Sequence, residues 1–129
     1  MAIIENSERT TRERLAQERL LQELELLRQS KILVIVEGIK DRRALQEFGI
    51  RDIAILNKPL YKVAEDIASK KAKECAILTD LDSEGKKLYG MLNKELSRLG
   101  IKSNNRFRRF LHKSTALRQL EGLVKYLNH

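Results

Sequence analysis

Three carboxylates stand where two short apolar runs stop. Residues 32–36 (Ile-Leu-Val-Ile-Val) lead straight into Glu37 and Gly38, and residues 75–79 (Cys-Ala-Ile-Leu-Thr) lead into Asp80-Leu81-Asp82-Ser83-Glu84-Gly85. An unbroken apolar run of this length, ended by acids and a glycine, is the pattern of a buried parallel strand that delivers polar groups to one edge of its sheet. Glu37, Asp80 and Asp82 are therefore expected to meet in space. Alternation along an extended chain puts Asp80 and Asp82 on one side and sends Leu81 back to the core. Such groups repel one another unless a cation sits among them, and hard oxygen donors favour Mg2+, with Mn2+ able to take its place. The chemistry this suggests is phosphoryl transfer, in which the aspartates hold one or two metal ions and Glu37 moves a proton as general acid or base.

Competing chemistries find less support. No glycine-rich phosphate loop precedes a Lys-Ser or Lys-Thr pair, and no GxGxxG fingerprint follows a strand. One cysteine and two late histidines, His112 and His129, are too few for a zinc site. The Asp-Leu-Asp turn also fits an aspartyl-phosphate enzyme, with Asp80 as nucleophile and Asp82 as acid, but that chemistry leaves Glu37 unused.

The pairing of Val36-Glu37-Gly38 with Asp80-Leu81-Asp82-Ser83-Glu84-Gly85 resembles the signature of the Toprim domain family, shared by topoisomerases, bacterial-type primases, OLD-type nucleases, recombination-repair proteins and ribosomal-RNA maturation nucleases. The resemblance runs over residues 32–99 and is closest to the small stand-alone members. It implies a three-layer α/β domain with a mostly parallel sheet of about four strands, and Mg2+ at Glu37, Asp80 and Asp82. Glu84 occupies the position of a further acid in the topoisomerase-like version of the motif, which makes it a fourth candidate metal residue. Lys86 stands where that version continues with another acid, and no stretch reads as a domain carrying a strand-cleaving tyrosine, so a topoisomerase is not expected.

The elements that must position these groups follow in order. Thr10-x-x-Glu13 reads as a capping box for a long helix with Ala16, Leu20, Leu24 and Leu27 inward. After the first strand, Gly38 is expected to let the chain turn sharply, and a helix over 41–48 buries Ala44, Leu45 and Phe48 before stopping at Gly49. Lys40, Arg42 and Arg43 crowd its start, where they fit equally a phosphate favoured by the helix dipole and a solvated face. A strand over 53–56 leads into the loop Asn57-Lys58-Pro59, at the same sheet edge as Glu37, and then a helix with Leu60, Val63, Ala64 and Ile67 inward. Ser83 is expected to cap a helix that buries Leu88, Met91, Leu92, Leu96 and Leu99 and stops at Gly100. A fourth strand near Ile101 must be short or missing. Residues 106–113 fit an amphipathic helix with Phe107, Phe110 and Leu111 inside and Arg106, Arg109 and Lys113 outside, and Ser114 then caps a last helix with Leu117, Leu120, Val124 and Leu127 inward. The expected division is a helical extension over 1–30, a core over 31–100 and a basic helical tail over 101–129 packed on it.

Charge favours one partner class, nucleic acid, over the alternative that a high pI serves solubility or stability to heat. The 129 residues carry a formal +8, to which residues 1–30 contribute −1, residues 31–82 contribute +1 and residues 83–129 contribute +8. A cationic excess beyond an acidic centre is expected of a protein that grips RNA or DNA near a metal. The candidate contacts are Lys40, Arg42, Arg43, Lys58, Lys86, Arg106, Arg109 and Lys113. No apolar run reaches the ~20 residues needed to cross a bilayer and no signal segment opens the sequence, so a cytoplasmic protein without membrane contact is expected. Cys75 reads as a buried core residue. The leucine stripe of the first helix is too short for a coiled coil, which leaves a monomer or weak dimer. Two functions compete: a Mg-dependent nuclease-type enzyme, and a non-catalytic nucleic-acid or ribonucleoprotein binding module.

Overall fold

The computed structural model describes residues 11–127. Helix α1 (Thr11–Ser30) precedes β1 (Leu33–Val36), α2 (Ile39–Gln46), β2 (Ile53–Ile55), α3 (Leu60–Ser69), β3 (Glu74–Ile77), α4 (Ser83–Arg98) and β4 (Lys102–Ser103). Helix α5 (Arg106–Ser114), a 3-10 turn (Leu120–Gly122) and α6 (Leu123–Leu127) follow. The strands form one sheet in the order β2-β1-β3-β4, and every neighbouring pair is parallel. Strand β1 is central, with Val36 opposite Ile55 on one side and Ile35 opposite Ile77 on the other. Glu37 therefore leaves the sheet at the edge where the chain beyond β3 also emerges.

Burial on both faces explains why β1 is apolar throughout and β3 is apolar after its exposed first residue, Glu74. Val34, Val36, Ala76 and Leu78 face a layer containing Leu20, Leu24 and Leu27 of α1, Leu45 of α2 and Phe107, Phe110 and Leu111 of α5. Leu33, Ile35, Cys75 and Ile77 face the opposite layer, where Val63, Ala64 and Ile67 of α3 meet Leu92 and Leu96 of α4. The period of two along the strands and of three to four along the helices generates the three layers. Burial pushes the Cys75 thiol up to about 11, as suits a core residue rather than a reactive one. The short fourth strand exists, two residues long and parallel to β3.

Several local expectations need correction. Helix α2 begins at Ile39 rather than Asp41, because Asp41 sits in its first turn and accepts the Gly38 N–H at 3.0 Å. Gly38 itself is extended, with φ −150°, so the turn after Glu37 does not depend on glycine. Asp82, not Ser83, caps α4 and accepts the Gly85 N–H at 2.8 Å. Met91 and Leu99 are exposed, since only the narrower stripe through Leu92 and Leu96 meets the sheet. Ser114 ends α5, and the residue buried near the C-terminal end is Leu123 rather than Val124, because a 3-10 turn shifts the phase of the last helix. The capping role expected of Thr10 lies outside the described residues. Among the described residues no helix is long and apolar enough to cross a membrane.

Candidate functional site

The acidic edge is held together by one bond across the sheet. Glu37, the first residue beyond β1, accepts the backbone N–H of Asp80 through Oε2 at 2.6 Å. This brings Glu37 and Asp80 together, with Asp82 two residues further on. Leu81 between them is buried, as alternation requires, while Asp80 is half-buried and Asp82 exposed.

The acidic turn is supported from beneath by groups the sequence reading did not single out. Arg108 of α5 is buried, donates through Nη1 to the Thr79 carbonyl and to Thr79 Oγ1 (3.1 Å), and donates through Nη2 to the Asp80 carbonyl at 2.9 Å. Its guanidinium lies 4.8 Å from the centre of the Tyr89 ring. Thr79 Oγ1 donates in turn to the Gly85 carbonyl at 2.7 Å. A Cβ on Gly85 would stand 1.9 Å from the Asp80 carbonyl oxygen, so only glycine lets the start of α4 close against the turn. The C-terminal segment completes the support, since Leu81 N–H donates to the Arg118 carbonyl at 2.7 Å and Leu120 N–H to Asp80 Oδ1 at 3.0 Å. Arg108 carries no local mark, because it and Arg109 both lie between Phe107 and Phe110. Nothing local in the sequence marks the return of Leu120 to Asp80.

Asp41 is the fourth carboxylate of this edge. Its distance of three residues from Gly38 is the capping signal that could have found it. Its carboxyl is raised above the ordinary range, first by burial and partly offset by the N–H bond from Gly38, with Asp80 and Glu121 adding repulsion. Glu37 is raised for the same first reason, opposed by the Asp80 N–H and reinforced by repulsion from Asp80, Asp41 and Asp82. Burial also lowers the proton affinity of Arg108, while Tyr89, Glu37, Asp80 and Asp82 pull it back up.

The donor set fits a hard divalent cation in its chemistry. Glu37, Asp80 and Asp82 each give one oxygen to a backbone N–H and keep the other without a partner among the described residues. Apart from its chain neighbours, nothing lies within 4 Å of where a Gly38 side chain would begin, so the space beside Gly38 is open. The spacing does not make a finished cage, for no three of these side chains among the described residues stand close enough to enclose an ion. Such an arrangement suits an ion that keeps much of its water and completes its shell with substrate oxygens, which is the habit of Mg2+. Glu84 is exposed on the first turn of α4 and is not among the carboxylates acting on Glu37.

The basic candidates separate into groups. Lys40 and Arg43 are exposed on the first turns of α2, beside the acidic edge, and Lys86 is exposed near the start of α4. Arg42 is half-buried, and its Nε is buried without a hydrogen-bond partner among the described residues. Lys58 is tied to Asp66 at 2.9 Å. Arg106 is not at the acidic turn, because its guanidinium pairs with Glu23 of α1 at 3.0 and 3.1 Å and the residue lines a depression with Ser30 and Ile32. Arg109 and Lys113 are exposed on α5.

These features define a three-layer α/β protein whose carboxylates gather beyond the ends of adjacent parallel strands. The chain belongs to the Toprim domain family, whose model matches residues 32–113. It is similar to the UPF0292 protein MJ1624 of Methanocaldococcus jannaschii, 33% identical over 99 residues that cover 74% of this chain and 77% of that protein. A second relative, the UPF0292 protein PYRAB04740 of Pyrococcus abyssi, is 34% identical over 107 residues, covering 81% and 79%. The fold matches that of a solved protein from Aquifex aeolicus with a TM-score of 0.71 and 26% identity, over 78% of this chain and 94% of that one.

Proposed function

We propose that the acidic edge binds Mg2+, or Mn2+ in its place, and carries out phosphoryl transfer on RNA or DNA as a nuclease-type Toprim protein. The observation that carries this reading is the bond from Asp80 N–H to Glu37, which joins the acid-bearing ends of β1 and β3. Asp80 and Asp82 would hold the metal through the oxygens not used by Leu120 and Gly85. When bound, the cation supplies charge neutralisation at the transferring phosphate. Glu37 would move a proton at the attacking or leaving oxygen, and its raised proton affinity supports that role. The starts of α2, α3 and α4 all lie at this edge, so their positive dipole ends favour a phosphate beside the acids. Lys40, Arg43 and Lys86 would then contact the backbone of the substrate.

One observation favours the second reading, a nucleic-acid or ribonucleoprotein binding module. Each carboxylate is already engaged in holding the turn, and no three among the described residues close around an ion. The deciding experiment incubates RNA and DNA substrates, structured ribosomal fragments included, with parent protein and Glu37→Gln in Mg2+ or Mn2+, scoring cleavage and retention together. The nuclease reading expects the parent to cleave and Glu37→Gln to bind but cleave at least ~100-fold more slowly. Retention by the parent without cleavage would replace the enzyme with the binding module.

A further inference from the structure

The middle of the chain, residues 31–82, sums to only +1, yet the fold gathers half of its cations at one edge. In a parallel sheet all strands start at one edge and end at the other. Glu37, Asp41, Asp80 and Asp82 lie beyond or near the strand ends. The segments before the strands carry the opposite sign: Lys31 before β1, Arg51 before β2, Lys70, Lys71 and Lys73 before β3, and Lys102 at the first position of β4. All six are exposed, and none makes an ion pair among the described residues.

Four of these cations, Lys31, Arg51, Lys70 and Lys73, line a groove. Two adjoining depressions share Lys31, Ile32 and Asp52 and run along the starts of the strands, one towards Arg28 and Arg51 and the other towards Lys70 and Lys73. Only Asp52 and Glu74 oppose the positive charge along it. Helix C-termini also gather at this edge, and their dipoles draw cations. That attraction is satisfied by about one cation at each helix end, whereas Arg51 and Lys102 stand at strand starts and three lysines follow α3.

The backbone gives an independent indication. Lys31 and Lys71 are the non-glycine residues with positive φ among the described residues, at 58° and 61°, and each follows the C-terminus of a helix. Glycine occupies the equivalent positions after α2 and α4, as Gly49 and Gly100 at 81° and 78°. The left-handed conformation strains a side chain with a Cβ and suits glycine. Three helix ends thus meet at or near this groove: Gly49 and Lys31 line it and Lys71 stands beside the lining residues Lys70 and Ala72, so two of the three carry lysine where glycine would relieve strain.

We infer that this groove at the strand-start edge is a second nucleic-acid binding surface, gripping a strand through its phosphates on the face opposite the acidic site. The inference rests on the reading of the protein as one that handles nucleic acid. Two grips on opposite edges would let a long strand wrap the domain, with the far edge supplying affinity independent of metal.

The test measures binding of labelled single-stranded and duplex RNA and DNA between about 50 and 200 mM salt. It compares the parent with Lys31→Gly/Lys71→Gly, Lys70→Gln/Lys73→Gln, and an acidic-edge control, Lys40→Gln/Arg43→Gln. The glycine variant is expected to melt no lower than the parent and yet bind more weakly, with the slope of log K against log salt reduced by about 1.4 to 1.8 for two lost phosphate contacts. The glutamine variant should lose a similar amount. Lysines with a merely structural role would leave binding unmoved. If both far-edge variants bind as the parent does while the control loses affinity, the second surface is rejected and the first reading stands. If the parent binds no nucleic acid, both fall. Displacement of nucleic acid from the far edge by polyglutamate at equal charge concentration would reject nucleic acid as its ligand.

Discussion

Glu37 accepts the backbone N–H of Asp80 at 2.6 Å, so the acid that ends one strand anchors the turn that leaves the next. The same contact keeps negative groups together against their repulsion, and their mutual effect on Glu37 is part of what raises its proton affinity. A cation at this edge relieves that conflict only in the folded protein. Mg2+ or Mn2+ should therefore raise the melting temperature, by an amount corresponding to about 2.7 kcal/mol once the metal reaches a hundredfold excess over its dissociation constant. Asp80→Asn with Asp82→Asn should abolish the shift. Both amides keep an oxygen for the Leu120 and Gly85 N–H groups, and asparagine is as good a helix cap as aspartate. The metal-free double variant should thus be at least as stable as the parent. Equal metal-induced shifts in the two proteins would remove the metal assignment.

Two glycines of the same helix should respond in opposite directions to alanine. Gly85→Ala places a methyl group 1.9 Å from the Asp80 carbonyl oxygen, where backbone must move, and a loss of about 3 kcal/mol or more is expected. Gly90 is exposed with nothing within 4 Å of the added carbon, so Gly90→Ala should stabilise by about 0.5–1 kcal/mol through helix propensity alone. Urea unfolding of both variants checks the pair. A small effect at Gly85 would mean that the turn is not packed as described.

Strands β1 and β3, their parallel direction and the convergence of Glu37 with Asp80 were legible because burial on both faces writes an unbroken apolar run, and because each of these two runs ends abruptly in acid. The role of Asp82 as helix cap rather than Ser83 was not, since both residue types cap well and only the closeness of Gly85 to Asp80 decides between them. Arg108 was hidden by its neighbours: in a run of basic residues nothing local distinguishes the guanidinium that turns inward to Thr79 and Asp80 from Arg109, which stays in solvent. The summed charge of residues 31–82 concealed a cluster of cations at the strand starts that only the parallel topology brings together.

Asp41 makes the acid-range stability predictable in sign. Burial raises its carboxyl above the ordinary value, so the folded state holds the proton over a range in which the unfolded chain has released it. Stability contributed by this group is complete below the unfolded value, near 3.9, and is lost as pH rises through the higher folded value. In metal-free buffer, Asp41→Asn should flatten that decline. The amide oxygen can still accept the Gly38 N–H, so the variant should be no less stable than the parent at neutral pH. Thermal unfolding from pH 3 to pH 7 measures it, and an unchanged slope in Asp41→Asn would show that its burial costs nothing.

Arg108 should matter to the acidic edge without touching a ligand. Its planar fork satisfies the carbonyls of Thr79 and Asp80 at once, and Thr79 Oγ1 passes the constraint on to Gly85 at the start of α4. Arg108→Leu leaves those buried carbonyls without their donors, at about 1–3 kcal/mol each, so a loss near 3 kcal/mol is expected. Arg108→Lys keeps the charge but offers a point donor in place of the fork, and should recover only part of the loss. The loosened turn should also respond to metal, because the carbonyl that Arg108 holds belongs to Asp80 itself. Under conditions where Arg108→Lys remains folded, its Mg2+-induced rise in melting temperature should be smaller than the parent's. A full metal response alongside the expected loss of stability would confine Arg108 to the core and show that Glu37 alone suffices to set the position of Asp80.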